Sequence, residues 1–226
     1  MTSFESSRDI DLQTAVRASA ALSSETGNHF ILTGSYSIEA LTGRSVTHND
    51  IDANVFTMNP RSAVRGALGR IGLTFYDNPP NLVLHTDTRL DYQWPEETTS
   101  QKLELQFVKV IDAREKGNET TFVLGNKGDQ EILVPTTIRS LRDTHNQKHD
   151  FRVKTLPYAI ATWALRISGV AQNQKRAVRG TDIAHFAFLL SADYDEGDVL
   201  RAIEHHPQTP DGCSADEVLT RALAER

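Results

Sequence analysis

The chain has 226 residues and a mass of 25.1 kDa, which suits one domain or one domain with a small addition. Hydrophobic residues make up 38% and charged residues 24% of it, an ordinary composition for a soluble globular protein. No apolar run approaches the roughly 18 residues of a membrane-spanning helix, and residues 1–13 are too acidic for a secretory signal, so we expect a cytoplasmic protein without membrane partners. The single cysteine, Cys213, excludes an internal disulfide and a thiolate zinc site.

The net charge of −6 is distributed unevenly along the chain. Residues 139–179 contain nine Lys or Arg and two Asp, a net charge of +7, which leaves −13 for the rest of the chain. A basic segment of this kind suits contact with a triphosphate or a nucleic-acid backbone, although a solvated helix surface explains it equally well.

Helical and strand patterns alternate over the first 135 residues. Hydrophobic periodicity predicts helices at residues 12–22, from Gly34-Ser35 to a stop at Gly43, and at 61–71. Period-two patterns and short apolar runs predict strands at 29–32, 50–56, 82–86, 88–94, 102–111 and 121–124.

Only helices are predicted after residue 135, at 136–145, 156–168, 182–191, 196–205 and 214–224. This order predicts an α+β fold. Residues 1–135 are expected to form a mixed sheet of about four to five strands flanked by helices, and residues 136–226 a small helical C-terminal domain.

The segment 30–56 carries the pattern with the most chemical content. A short strand runs into Gly34 and Ser35, a helix follows, and the next predicted strand opens with Asp50 and Asp52. Side chains two residues apart on a strand project from the same face, so we expect these two carboxylates side by side. Such a pair repels unless a cation lies between the groups, and Mg²⁺ typically takes one or two carboxylates together with substrate phosphates. Because the first N–H groups of a helix bind anions, the sequence predicts a metal-triphosphate site here.

The motif formed by Gly34-Ser35, fourteen intervening residues and Asp50-Ile51-Asp52 resembles the signature of the nucleotidyltransferase superfamily that shares the DNA polymerase β palm. The spacer, with Gly43-Arg44 and Thr47-His48-Asn49, is similar to the aminoglycoside and lincosamide nucleotidyltransferases and to the type IV abortive-infection toxins. The resemblance implies an enzyme with one or two Mg²⁺ ions that transfers a nucleoside monophosphate from an NTP to an acceptor hydroxyl. It implies that Asp50 and Asp52 bind the metal.

This superfamily usually supplies a third carboxylate from a neighbouring strand. Glu104, between Leu103 and Leu105, is the best-placed acid, and Asp91 is the alternative. The resemblance implies that the third acid accepts the proton of the acceptor hydroxyl or binds a second metal ion. A chain without it would be a catalytically inactive nucleotide-binding module.

Basic residues outside the motif are further candidates for nucleotide binding. Arg44 and His48 lie in the loop before the acids, where the resembling proteins place basic residues near the phosphates. The toxin branch carries a Lys on a later helix. Here Trp163 or a neighbour holds that position, with Lys154 and Arg166 nearby. We expect these four basic residues to contact the nucleotide, with solvated or core-packed side chains as the alternative.

The functional alternatives differ in the acceptor of the nucleoside monophosphate. A cationic antibiotic would favour an acidic pocket, whereas a tRNA end would favour the basic segment 139–179, and a protein hydroxyl is the third choice. The resemblance therefore implies either an antibiotic-modifying enzyme or the toxin of a toxin–antitoxin system, the latter with a cognate antitoxin as its partner.

Overall fold

The structure, a computed structural model of the chain, describes residues 7–24, 27–48, 50–59, 61–72, 74–76, 89–93, 103–170 and 177–225. These residues form seven helices and nine strands, and the predicted α+β class is confirmed. The helices are α1 (Ser7–Ser23), α2 (Gly34–Thr42), α3 (Arg61–Arg70), α4 (Leu156–Ile167), α5 (Gly180–Leu190), α6 (Glu196–Glu204) and α7 (Ala215–Ala224). The strands are β1 (Asn28–Leu32), β2 (Ile51–Thr57), β3 (Thr74–Tyr76), β4 (Arg89–Gln93), β5 (Leu103–Lys109), β6 (Asp112–Lys116), β7 (Glu119–Lys127), β8 (Gln130–Arg142) and β9 (Lys148–Lys154).

The nine described strands belong to one mixed sheet with the order β3-β4-β5-β2-β1-β9-β8-β7-β6. β1 and β2 are antiparallel to each other, β1 is parallel to β9, and β2 is parallel to β5. The remaining neighbours pair in antiparallel fashion. The connection between β1 and β2, which contains α2, therefore lies near the middle of the sheet.

Side chains of β1 and β2 alternate between two hydrophobic clusters, as the period of a strand requires. Phe30 and Leu32 pack with residues of α1 and α3 on one face of the sheet. Ile31 and Phe56 belong to a second cluster, which includes Tyr158 of α4. The sheet thus separates α1 and α3 from α4.

α2 connects the sheet to the four C-terminal helices. Its residues Tyr36 and Ala40 belong to the cluster that contains α1 and α3, whereas Ile38 belongs to a third cluster formed mainly by α4, α5, α6 and α7. Because both sides of α2 are packed, the position of its N-terminal end is fixed relative to the sheet and to the C-terminal helices.

The sheet is larger than the predicted four to five strands. The helix predicted at residues 136–145 is wrong, because this segment belongs to β8 and pairs with β9 from Thr136↔Lys154 to Arg142↔Lys148. The apolar spacing of Ile138 and Leu141 imitates one helical turn, but the β-branched run at 136–138 favours a strand, and the antiparallel partner decides the outcome.

The other predicted helices correspond to helices in the structure. The predicted strand at 82–86 lies outside the described residues. Residue 135, the predicted domain boundary, lies inside β8. The last strand of the sheet, β9, ends at Lys154, and the C-terminal helices begin at Leu156. Within the described part of the chain, no helix is both long and apolar enough to cross a membrane.

Candidate functional site

A cleft of about 900 Å³ opens between the central strands, the N-terminal end of α2 and the helices α4 and α5. Its volume is in the range of small-molecule sites, roughly 300–1,000 Å³. The lining includes six of the site residues predicted from the sequence: Gly34, Ser35, Asp50, Asp52, Lys154 and Arg166.

Gly34 packs directly against the carboxylate of Asp52. Its φ of +60° lies in the left-handed region, which favours glycine. A Cβ built on Gly34 would lie 3.0 Å from Cβ and from Cγ of Asp52, and closer still to Oδ2. The backbone N–H of Thr33 also donates a hydrogen bond of 2.8 Å to the carbonyl oxygen of Asp52. The bend before α2 and the acid-bearing strand are therefore held together.

Asp50 and Asp52 are both half-buried and line the same cleft. β2 begins at Ile51, one residue later than predicted. Asp50 therefore immediately precedes the strand, and Asp52 is its second residue. The described side chains contain no group of three His, Cys, Asp or Glu able to hold a metal ion. The donor set nevertheless fits Mg²⁺, because two hard carboxylates beside an open cleft leave coordination positions for water and phosphate oxygens.

The sheet register brings both candidates for the third acid into one row with Asp52. Asp52 pairs with Glu104, and Glu104 pairs with Asp91. Gln106, two residues after Glu104, lines the cleft and accepts a hydrogen bond of 3.2 Å from Asn54. Alternate residues of a strand share a face and neighbouring strands are about 4.8 Å apart, so position 104 lies on the cleft face and is closer to Asp52 than position 91. The side chains of both acids lie outside the described set, and the choice of Glu104 stays a prediction.

The N-terminal end of α2 presents backbone donors to the cleft. Thr33 is its N-cap residue but makes no side-chain capping hydrogen bond. The first N–H groups of a helix have no partner within the helix, and together with the helix dipole they favour an anion. The half-buried Ser35 adds a hydroxyl group at the same place.

Lys154 lies beside the bend before α2, although it is far away in sequence. β1 and β9 are parallel with Leu32 opposite Val153, so Lys154, the last residue of β9, lies opposite Thr33, which follows β1. Its Nζ is 5.6 Å from the centre of the Tyr158 ring, and no described residue forms an ion pair with it. Burial lowers the pKa of Lys154 to about 8, because the loss of water around the ammonium group disfavours its charged form.

Two arginines of the helical part meet at one buried carboxylate. Asp182 is 1% exposed, with Arg166 Nε at 3.4 Å from Oδ2 and Arg179 Nη2 at 3.6 Å from Oδ1. The backbone N–H of Arg179 also donates to Asp182 at 2.9 Å, which caps α5. Both arginines line the cleft. Arg179 was not among the site residues predicted from the sequence, because its place in the cleft depends on how α5 packs against α4.

The loop residues Arg44 and His48 do not belong to the described lining of the cleft. Arg44 is exposed. His48 donates from Nε2 to Glu39 at 2.9 Å and stacks on Tyr36 with the ring centres 3.6 Å apart. Their contact with the nucleotide stays a prediction, and the observed contacts of His48 serve to hold the loop that leads to Asp50.

Glu39 is the centre of this loop anchor. Arg8 of α1 also donates to Glu39 Oε2, at 3.0 Å. Burial by itself would raise the pKa of Glu39, but the hydrogen bonds from His48 and Arg8 outweigh it and lower the pKa to about 2. The carboxylate is therefore ionised at neutral pH and joins α1, α2 and the loop.

The comparisons with known proteins identify a fold. No protein-family model matches this chain, and no curated protein matches it. It is similar to the solution structure of the antibiotic-resistance factor ANT(2'')-Ia, an aminoglycoside nucleotidyltransferase, with a TM-score of 0.52 and 12% identity over 87% of this chain and 91% of that chain. Similarity to the crystal structure of JHP933 from Helicobacter pylori is lower, with a TM-score of 0.39 and 13% identity over 98% of this chain and 93% of that chain. The chain has a nucleotidyltransferase-like fold.

Substituting Gly34→Ala tests the packing of the bend against Asp52. A left-handed backbone costs a residue with a Cβ roughly 1–2 kcal/mol, and the added methyl group also displaces the carboxylate of Asp52. We expect a corresponding loss in the free energy of unfolding, measured by urea titration, together with loss of Mn²⁺ binding measured by electron paramagnetic resonance.

Gly43→Ala is the matched control. Gly43 has a φ of +69°, but a Cβ built there meets nothing within 4 Å. Gly43→Ala should therefore lose a similar free energy of unfolding from its left-handed backbone and retain Mn²⁺ binding. Equal Mn²⁺ affinity of the two variants would contradict the proposed link between residues 34 and 52.

Glu39→Gln tests the loop anchor. The variant loses the charge that Arg8 and His48 share, so we expect the free energy of unfolding at pH 7 to fall by about 1.5–3 kcal/mol. Because the pKa of Glu39 is lowered, this contribution is complete above its ordinary pKa of 4.5 and declines as the pH falls towards 2. The difference between wild type and variant should shrink over that interval.

Glu217→Gln serves as the control for this measurement. Glu217 pairs with Arg221 on the surface of α7, and its side chain is 51% exposed. A surface pair of this kind contributes about 0–1 kcal/mol, so the control should change stability little. A loss as small in Glu39→Gln would refute the anchoring role.

Proposed function

We propose that this protein is a Mg²⁺-dependent nucleotidyltransferase, which transfers a nucleoside monophosphate from an NTP to an acceptor hydroxyl. One observation carries the proposal. Asp50 and Asp52 line the same cleft as the N-terminal end of α2, where the Thr33 side chain makes no capping hydrogen bond, and Gly34 contacts Asp52. Carboxylates for a divalent cation thus lie beside backbone donors for phosphate, the combination that a metal-bound triphosphate requires.

The chain's own donors account for binding of the triphosphate. The N–H groups at the start of α2 and the hydroxyl of Ser35 would receive phosphate oxygens from one side. Lys154, Arg166 and Arg179 would receive them from the other. The ammonium group of Lys154 has no carboxylate partner among the described residues, so an anionic ligand would supply the compensating charge.

In the proposed reaction, the acceptor oxygen forms a bond to the α-phosphorus of the NTP. The bond between that phosphorus and the bridging oxygen to the β-phosphate breaks, and pyrophosphate leaves. One Mg²⁺, or two, held by Asp50 and Asp52 would offset the charge on the triphosphate and on the departing pyrophosphate. A carboxylate at position 104 would accept the proton of the acceptor hydroxyl, a role supported by its register with Asp52.

The acceptor remains open between a small molecule such as an antibiotic, a tRNA and a protein. The last two correspond to a toxin that a cognate antitoxin would control. Incubating the protein with each α-³²P-labelled NTP, Mg²⁺ and each class of acceptor assigns it, because the label stays on the product. Transfer to none of them, combined with tight NTP binding, would instead identify a catalytically inactive nucleotide-binding module.

Asp50→Asn and Asp52→Asn test the reaction itself. Each variant keeps the shape of the side chain and removes a metal-binding charge. We expect the release of pyrophosphate to slow about 100-fold or more, equivalent to a loss of about 3 kcal/mol of transition-state stabilisation.

Asp112→Asn is the control for these two variants. Asp112 lies on β6 at the far edge of the sheet, where it pairs with the exposed Arg114. Its removal should leave pyrophosphate release unchanged. Full turnover in Asp50→Asn or Asp52→Asn would refute the proposed role of that residue.

Lys154 offers a test that separates binding from folding. Lys154→Met removes an ammonium group that burial disfavours and that has no carboxylate partner among the described residues, so the melting temperature should be equal to or above that of the wild type. Affinity for NTP should nevertheless fall about tenfold or more, as expected for a lost charge-assisted hydrogen bond. Isothermal titration calorimetry and thermal melts measure the two quantities.

The contribution of Lys154 to NTP affinity should depend on pH. With a pKa of about 8, Lys154 is charged below that pH and becomes neutral above it. Affinity for NTP should therefore decline as the pH rises from 8 to 10, and Lys154→Arg, which stays charged, should abolish the decline. The same decline in Lys154→Arg would exclude Lys154 as its source.

A further inference from the structure

One wall of the cleft is aromatic. It consists of Trp163 on α4 and of His185 and Phe188 on α5, and the small residues Ala159 and Ala184 lie beside them in the lining. The carboxylates and the start of α2 line the same cleft from other elements. The cleft therefore combines charged groups with rings and methyl groups.

Trp163 is held in position by its neighbours. The guanidinium group of Arg166 lies 5.5 Å from the centre of the Trp163 ring, and Asp182 fixes Arg166 in turn. The rings of His185 and Trp163 form a T-shaped pair, with the centres 5.4 Å apart at an angle of 75°. Because these contacts come from two packed helices, the wall exists before any ligand arrives.

His185 adds a polar edge to this wall. Its Nδ1 is buried and makes no hydrogen bond within the described residues. An imidazole ring next to an indole ring provides both a flat surface and a hydrogen-bonding group, which a polyphosphate chain does not need. A heteroaromatic ligand with exocyclic donors and acceptors needs both.

An NTP has the same division as the cleft, with a polyanionic chain at one end and a flat base at the other. We infer that the aromatic wall formed by Trp163, His185 and Phe188 binds the nucleobase of the NTP. This inference rests on the proposed function and extends it to the part of the nucleotide that the cations do not recognise. Trp163 is then a specificity-determining residue, and Arg166 contacts both the indole ring and the phosphate side of the cleft.

The experiment compares NTPs with inorganic tripolyphosphate, which has the phosphate chain but no base. The chain contains two tryptophans, so Trp94→Phe leaves Trp163 as the single indole fluorophore. In this background and in the presence of Mg²⁺, an NTP should change the fluorescence of Trp163, whereas tripolyphosphate should bind with little change. Calorimetry gives both affinities independently of fluorescence.

Trp163→Ala and Trp163→Phe then separate stacking from structure. Trp163→Ala should weaken binding of the best NTP about tenfold or more, the scale of base–aromatic stacking, and leave tripolyphosphate affinity within about twofold. Trp163→Phe, which keeps a flat ring, should restore most of the NTP affinity. The unchanged tripolyphosphate affinity shows that the variant is folded and that its phosphate site is intact.

Three results would overturn the inference in distinguishable ways. An equal loss of NTP and tripolyphosphate affinity in Trp163→Ala would assign Trp163 a structural role only. An unchanged NTP affinity in that variant would place the base elsewhere while the proposed function stands. Failure of the wild-type protein to bind either NTP or tripolyphosphate would remove the proposed function and the base site together.

Discussion

The carboxylate of Asp52 occupies the space where a side chain of residue 34 would be, and the rest of the site depends on this contact. It requires glycine at a left-handed bend, and it brings the positive end of the α2 dipole next to a negative side chain. In the proposed function, Asp50 and Asp52 would hold a divalent cation beside this helix end, whose N–H groups would bind a phosphate.

The site is assembled from two layers. The sheet and the loop before β2 contribute Asp50, Asp52 and Lys154, whereas the helical part contributes Arg166 and Arg179. α2 lies between the layers, because Ile38 packs in the cluster of C-terminal helices, whereas Tyr36 and Ala40 pack in the cluster that contains α1 and α3. Any displacement of the helices relative to the sheet would thus change the distance between the arginines and the carboxylates. The close packing of α2 against both layers keeps that distance fixed.

Local signals in the sequence were sufficient for β1, α2 and β2, since glycine, serine and alternating acids mark a turn and a strand without reference to the rest of the chain. They were insufficient for β8, whose partner β9 supplies the hydrogen bonds that turn an ambiguous apolar pattern into a strand. The same applies to the site. Lys154 reaches the bend through the parallel pairing of β9 with β1, and Arg179 through the packing of α5, and neither contact leaves a trace in local spacing.

Lys154 brings a positive charge to the cleft from a strand, while Trp163 lines the cleft from α4. Lys154 ends β9 two residues before α4 begins, and β1 brings it next to the bend at Gly34. A positive charge delivered from the strand leaves the cleft face of α4 open to Trp163. A point charge attracts every nucleotide equally, whereas an aromatic ring responds to the base. In the proposed function, Lys154 would bind phosphate from the strand, and Trp163 on α4 would provide a surface on which bases can be distinguished.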